Sequence, residues 1–300
     1  MSISVNKVSK LYGEQLALDQ VSFEIKQGEI IGFLGPNGAG KSTMMKIITG
    51  YIPASSGEVS VCGLDVATND IEIKSKIGYL PEHNPLYLDM YVKEYLTYCA
   101  RIYKLKNVKE RVEEMIELTG LTVEQSKKLG QLSKGYRQRV GIAQALIHDP
   151  DVLILDEPTT GLDPNQLVDI RALIKKIGES KTVMLSTHIM QEVEAICDRV
   201  IIVNKGNIVA DKNISDTKQE SGSLKIEFNE PIDVSEFKAV FGVEIQALGG
   251  NKYFIKEIKK DIKQLEKDIF KWAVEKDMVI RQFSVDDKSL EDFFKAITKN

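Results

Sequence analysis

The chain of 300 residues has little of what staples a protein or anchors it in a bilayer. It carries three cysteines, Cys62, Cys99 and Cys197, far apart and without metal-ligand spacing. An odd number builds no complete disulfide framework, so a reducing compartment is expected. Charge of neither sign prevails. Lys and Arg number 40 against 44 Asp and Glu, a net charge of −4, and no basic patch argues for nucleic acid as the main partner. No apolar stretch approaches the ~20 residues that a spanning helix needs. Residues 1–7 lack the apolar core of a signal peptide. The expectation is a cytoplasmic chain; if it works at a membrane, another chain must do the crossing. Hydrophobic residues make up 43 %, ordinary for a globular chain with a sizeable core, and the length suits one large or two modest domains.

What the sequence does have is a phosphate-binding loop. Gly35-Pro36-Asn37-Gly38-Ala39-Gly40-Lys41-Ser42-Thr43 follows a short apolar run that reads as a buried strand over 29–35. It precedes Met44 to Ile48, which reads as the first turns of a helix ending at Gly50. Strand, glycine-rich loop and Gly40-Lys41-Ser42 at a helix start form the loop of a nucleoside triphosphatase. Its glycines let backbone N–H groups converge on phosphate oxygens, and the helix start adds unpaired N–H groups and partial positive charge. Lys41 supplies a point charge for the outer phosphates, and the Ser42 hydroxyl is a ligand for Mg²⁺.

Along the rest of the chain, residues 3–8 and 21–25 read as half-buried strands, and Gly57 to Gly63 and Ile77 to Leu80 as short ones. Residues 84–150 change to helical character, with helices expected over Val92 to Tyr103, Val108 to Leu118 and Tyr136 to Ile147. The α/β pattern then resumes. A strand runs through Asp151 to Glu157, a helix over Asn165 to Ile177, a strand over Thr182 to Ser186, and a helix that His188 opens and Cys197 closes. Two strands surround the turn Lys205-Gly206, and residues 211–223 read as a linker. Beyond it the order is strand (Leu224 to Phe228), helix (Val234 to Val240), a hairpin across Gly249-Gly250, helix (Asp261 to Lys276) and strand (Met278 to Phe283). That β-α-β-β-α-β order suggests a small ferredoxin-like appendage. A last helix is expected over Ser289 to Thr298, with Ser289 as its cap.

Two further stretches carry chemistry. The apolar run ending at Asp156-Glu157 delivers two carboxylates to the C-terminal edge of a parallel sheet, where ligands bind. Asp156 suits Mg²⁺ and Glu157 suits a water attacking the γ-phosphate; the alternative is two solvated residues at a strand end. Leu132-Ser133-Lys134-Gly135-Tyr136-Arg137-Gln138 starts a helix, with Ser133 as N-cap and a dipole favouring an anion. The residues alone leave open which phosphate that second helix start serves.

With these stretches the chain resembles the ATP-binding subunits of ABC transporters. The resemblance rests on Leu132-Ser133-Lys134-Gly135 followed by Gln138-Arg139-Val140, and on Leu155-Asp156-Glu157-Pro158-Thr159 with Gly161-Leu162-Asp163-Pro164 behind it. It rests also on Ser186-Thr187-His188 and on Tyr12, and it covers about residues 1–210. It implies a P-loop NTPase of ABC type over 1–215, with a parallel-sheet core, an antiparallel β subdomain and a helical subdomain near 84–150, followed by the α+β domain at 216–300. It implies ATP and Mg²⁺ as cofactors. It implies a dimer in which ATP lies between the phosphate loop of one copy and the signature stretch of the other. Tyr12 would stack on adenine. Ser133, Gly135 and Gln138 would act in trans, Asp163 would cross the interface, and His188 would contact the γ-phosphate beside Glu157. For a lone histidine a packing role is the better bet; its place after an apolar strand reverses that. The chain would then sit on the inner face of the cell membrane, bound to a separate permease.

Two departures from the family pattern stand out. Glu82 occupies the place of a usual glutamine whose oxygen contacts Mg²⁺, and Lys134 and Tyr136 replace a usual glycine and glutamine in the signature. Leu86, Tyr87, Leu88, Met90, Tyr91 and Tyr95 form an apolar cluster that reads mostly as core, with a permease-docking groove as the other use of a few. The ending Ser289-Leu290-Glu291-Asp292-Phe293-Phe294 resembles that of export cassettes with separate permeases. The N-terminal two thirds, with Pro81 to Tyr87, most resembles the ATP-binding subunit of ABC transporters associated with gliding motility. The competing reading is a soluble ABC-type ATPase, ribosome- or DNA-associated. Such proteins usually carry two cassettes or a long coiled coil, and this chain has one cassette and no internal repeat.

Overall fold

The computed structural model describes residues 1–215, 222–258 and 262–287; the helix expected over Ser289 to Thr298 lies outside the described residues. The chain forms two compact units, Met1–Lys212 and Asn213–Asn300.

The first unit begins with an antiparallel pair, β1 (Ile3–Tyr12) and β2 (Gln15–Ile25). Then follow β3 (Ile30–Leu34), α1 (Lys41–Ile48), β4 (Ser56–Val61), β5 (Leu64–Asp65), α2 (Asp70–Lys76) and β6 (Ile77–Leu80). A helical layer of α3 (Val92–Ile102), α4 (Val108–Leu118) and α5 (Lys134–Leu146) comes next. The unit closes with β7 (Val152–Asp156), α6 (Pro164–Gly178), β8 (Thr182–Thr187), α7 (Met190–Ile196), β9 (Arg199–Asn204) and β10 (Asn207–Asn213).

Its main sheet has the order β10-β9-β3-β8-β7-β6, and β9, β3, β8, β7 and β6 are parallel. Strands β3, β7 and β8 are buried along their whole length. That is why they read as continuous apolar runs and not as alternating ones. Strand β10 joins the edge through Lys205-Gly206, whose φ angles of 48° and 79° suit a two-residue hairpin turn. The second sheet, β2-β1-β4-β5, is antiparallel. Its first strands run past the lengths that alternation predicts. Irregularities at Lys7 and Gln20, both at positive φ, break the in-out pattern while pairing continues. One core joins the two sheets around Met44, Met45, Ile47 and Ile48 of α1. β5 and α2 were not expected: one has two residues, and the other buries only Ile73.

The helical layer is amphipathic in the ordinary way, with α3 burying Val92, Tyr95, Leu96, Cys99 and Ala100 at helical spacing. It is tied to β6 through one ring pair. Tyr103, just after α3, stacks on His148 with centroids 3.9 Å apart and planes 5° off parallel. His148 Nε2 lies 3.0 Å from the Ile77 carbonyl, to which it donates.

In the second unit, β11 (Gly222–Phe228), α8 (Val234–Phe241), β12 (Glu244–Gly249), β13 (Lys252–Ile258), α9 (Ile262–Glu275) and β14 (Ile280–Asp287) follow in turn. The sheet order is β12-β13-β11-β14, and every neighbouring pair is antiparallel. Leu224, Ile226, Phe228, Phe237, Ile255, Ile269 and Trp272 form its core.

Burial pushes the His148 imidazole below its ordinary pKa, and its Nδ1 is buried without a partner, so a second proton there has no acceptor. The folded state therefore binds this proton less readily than the unfolded chain. The stability that neutral His148 contributes is present above the ordinary histidine pKa of about 6.5 and is lost as pH falls through the depressed folded value. Urea midpoints measured at pH 7.5 and 5.5 are expected to fall with acid in the native protein and to fall less in His148→Phe.

Candidate nucleotide site

Strand β3 ends at Leu34, and the loop after it is held to the sheet on both sides. The Gly35 N–H donates to the Thr187 carbonyl at 3.3 Å, and the Gly206 N–H donates to the Ala39 carbonyl at 3.1 Å. Gly35 has no room for a side chain, because a Cβ would meet the Val203 carbonyl oxygen. Gly40 caps α1 at φ 106°, where a Cβ would come 2.7 Å from the Ala17 carbonyl. No side chain caps this helix start, so its first N–H groups face the loop.

Lys41 folds back into the loop. Its Nζ donates to the carbonyls of Gly35 at 2.8 Å and Pro36 at 3.2 Å, and lies 3.5 Å from Glu157 Oε1. Lys41 is 6 % exposed and Glu157 8 %, so this is a buried pair. Ser42 Oγ donates to Asp156 Oδ1 at 3.1 Å. Asp156 ends β7, and Glu157 follows with φ 51°, the left-handed region. For a residue other than glycine this backbone costs about 1–3 kcal/mol, and it turns the carboxylate out of the strand into the cleft. The turn is pinned by Ser186 of β8. Its hydroxyl accepts from the Glu157 N–H at 2.9 Å and donates to Asp156 Oδ1 at 2.6 Å. Glu157 Oε2 accepts from Thr160 Oγ1 and lies against His188 Nδ1, both at 3.0 Å.

A cleft of about 520 Å³ opens beside these groups, lined by Tyr12, Asn37, Gly38, Gly40, Lys41, Ser42, Thr43, Glu82, Glu157, Thr160 and His188; Gly35, Pro36 and Ala39 do not line it, and Asp156 lines an adjoining groove. Tyr12 is half exposed at the end of β1, placed as a flat face beside the loop. The expected helix opening at His188 is displaced: α7 starts at Met190, and His188 sits in the preceding turn with its ring 43 % exposed. That freedom from the helix lets the ring reach Glu157.

Ser133, Gly135, Gln138 and Asp163 do not line this cleft. Ser133 is the N-cap of α5, accepting from the Tyr136 N–H at 3.4 Å, and α5 starts two residues earlier than the periodicity predicts. Asp163 caps α6, accepting from the Gln166 N–H at 2.9 Å. The two helix starts are neighbours, since a Cβ on Gly135 would come 2.5 Å from the Gln166 side chain. Sequence reasoning singled out neither Ser186 nor Thr160 for a role here. Ser186 reads as one more residue of a buried strand, and only the pairing of Asp156 with Ser186 across β7 and β8 reveals its position.

A buried parallel strand, a glycine loop closing on a helix start, a glutamate facing its lysine and an aspartate against its serine define a P-loop nucleoside triphosphatase of α/β class, here with an added antiparallel sheet. The ABC transporter family profile matches residues 18–160. The chain is 36 % identical over 300 residues to the ABC transporter ATP-binding protein YdbJ of Bacillus subtilis (strain 168), covering 99 % of this chain and 95 % of that one. It is 38 % identical to the bacitracin transport ATP-binding protein BcrA of Bacillus licheniformis, over 69 % of this chain and 68 % of that protein. A solved dimer of an ATP-binding cassette in a post-hydrolysis state, bound to ADP and Pi, superposes with a TM-score of 0.65 at 30 % identity, covering 71 % of this chain and 98 % of the other. The chain belongs to the ATP-binding proteins of ABC transporters, and it is an ATP hydrolase.

Removing the Ser186 hydroxyl leaves the buried Glu157 N–H without its acceptor. Ser186→Ala is expected to lower unfolding free energy by about 1–3 kcal/mol, measured by urea denaturation of the full chain.

Proposed function

We propose that two copies of this chain close on ATP and hydrolyse it to drive export through a separate membrane permease. The observation that carries this reading is the division of the expected site residues. One chain's cleft holds Tyr12, the phosphate loop, Glu82, Glu157 and His188, while Ser133, Gly135, Gln138 and Asp163 stand elsewhere on the same chain. A second copy, set head to tail, supplies those four to the first copy's ATP. The solved cassette dimer with ADP and Pi supports a dimer of this chain, and the N-cap geometry of Ser133 suits an anion at the start of α5.

The roles follow from the contacts. Lys41 exchanges its loop carbonyls and Glu157 for the outer phosphates of ATP. Glu157 Oε2 is committed to Thr160 and His188, so Oε1 is the oxygen that takes the proton of the attacking water. His188 Nδ1 holds Glu157 in place and keeps the ring at the cleft mouth. Ser42 Oγ and Asp156 Oδ1 are two hard oxygen donors in contact, a set that fits Mg²⁺, which prefers few protein ligands beside water and phosphate. Glu82 adds a third oxygen at the cleft wall. Ser42 and Asp156 would hold the ion, and its charge would offset that of the phosphates.

A groove of about 610 Å³ runs from Ser42, Glu82 and Asp156 to α3 and is lined by Tyr51, Tyr79, Tyr87, Tyr95 and Ile102. Tyr87, Leu88 and Tyr91 are half exposed and Leu86 and Met90 half-buried; of the cluster expected to be mostly core, only Tyr95 is buried, because the segment before α3 runs along the surface. We read the groove as the seat of a permease segment, where it would sense the metal-holding residues. Among the described residues no helix is long and apolar enough to cross a membrane, so the partner supplies the crossing and this chain docks on the inner face. Domain limits of 1–215 and 216–300 fit this plan, and the sheet order of the second unit supports a ferredoxin-like accessory domain. Relatives named for linearmycin resistance, bacitracin transport and Nod factor export support export as the process. A gliding-motility process rests on the resemblance of the N-terminal two thirds, with Pro81 to Tyr87, and none of these relatives carries that name.

Glu157→Gln is expected to keep ATP binding, to lose at least ~100-fold in turnover and to form an ATP-dependent dimer in size-exclusion chromatography. Near-normal turnover removes Glu157 as the base, and a monomer with ATP bound removes the shared site. Glu82→Gln is expected to hold turnover within about tenfold, ~1.4 kcal/mol of barrier, in a steady-state phosphate-release assay.

A further inference from the structure

His188 sits between two residues that are fixed far more firmly than its own ring. Thr187 and Glu192 are 0 % and 1 % exposed. Thr187 Oγ1 donates to Glu192 Oε2 at 2.8 Å and accepts from the Ile189 N–H at 3.1 Å. The Glu192 N–H donates to the Ile189 carbonyl at 3.2 Å, which closes the turn. The Thr187 carbonyl accepts from Gly35, the first residue of the phosphate loop. One side chain thus ties the turn carrying His188 to α7, and its own backbone ties the same turn to the loop that grips phosphate.

Glu192 is a poor choice for packing alone. Its Oε1 is buried with no partner, so half of a carboxylate is withheld from water without compensation. A leucine or methionine would fill the same place on α7 without that cost. A buried acid kept at a cost to stability, one hydrogen bond from the residue before His188, fits a group retained for geometry.

We propose that Thr187 and Glu192 form a clamp that positions His188 against Glu157 during hydrolysis. This rests on the reading of His188 given above. Neither residue lines the cleft, so both act through the turn and touch no substrate.

The test is steady-state ATP turnover of the full-length chain. Thr187→Val keeps the shape and removes both hydrogen bonds; kcat is expected to fall about tenfold or more while KM for ATP stays within about threefold. Thr187→Ser restores the hydroxyl and is expected to stay within about threefold of native kcat. Glu192→Leu should match Thr187→Val and serves if that variant folds poorly, and Glu192→Gln, which still accepts from Thr187, should stay near native. In a His188→Ala background, Thr187→Val should cost nothing further, because the two act as a unit. Equal fractional losses in both backgrounds, or a Thr187→Ser loss as large as that of Thr187→Val, overturn the clamp. A His188→Ala protein with native kcat overturns instead the reading of His188 on which the clamp depends.

Discussion

The site depends on keeping one cation and two carboxylates out of water at close quarters. Lys41, Asp156 and Glu157 are each less than a tenth exposed. Burying any one of them alone costs several kcal/mol. The structure meets this cost with a closed set of partners: loop carbonyls and Glu157 for Lys41, Ser42 and Ser186 for Asp156, Thr160 and His188 for Glu157. The partners come from the first turn of α1 and from the ends of three strands, β3, β7 and β8. The sheet must therefore bring the C-terminal ends of β3, β7 and β8 to one edge, which the parallel order β3-β8-β7 does. An open α/β sheet places its ligands at that edge for the same geometric reason.

The same charges make the half-site responsive. Lys41 Nζ lies 3.5 Å from Glu157 Oε1. In the mechanism proposed above, a triphosphate that draws Lys41 away would leave that oxygen free for the attacking water. The left-handed backbone at Glu157 belongs to this design. A relaxed strand would keep residue 157 pointing along the sheet, and the strain is held by the Ser186 hydroxyl.

Much of this was legible in the residues because the phosphate loop and the carboxylate strand are local patterns. Gly35 to Thr43 are contiguous, and so are Val152 to Glu157. Their spacing fixes both the elements and the direction of the side chains. The helical layer was legible too, since amphipathic spacing in α3 and α4 is strong. What stayed hidden is what depends on register between strands. Ser186 reaches Asp156 only through the pairing of β7 with β8, and no single stretch encodes that pairing. The start of α7 was misread at His188 for a related reason: Thr187 and Ile189 form a hydrogen-bonded turn that delays the helix by two residues. Short elements such as β5 and α2 bury too little to leave a periodic signal.

The division between what one chain assembles and what it leaves apart follows from the same fold. Ser133 and Asp163 cap neighbouring helices, and their side-chain oxygens are engaged by Tyr136 and Gln166 within those caps. A helix start that has satisfied its own first turn still presents its dipole and remaining N–H groups outward. Such a surface attracts phosphate without being able to enclose it. The cleft beside Lys41 is lined by none of Ser133, Gly135, Gln138 and Asp163. In the arrangement proposed above, the cleft and the two helix starts are parts of one anion site, which a second copy turned against the first would bring together.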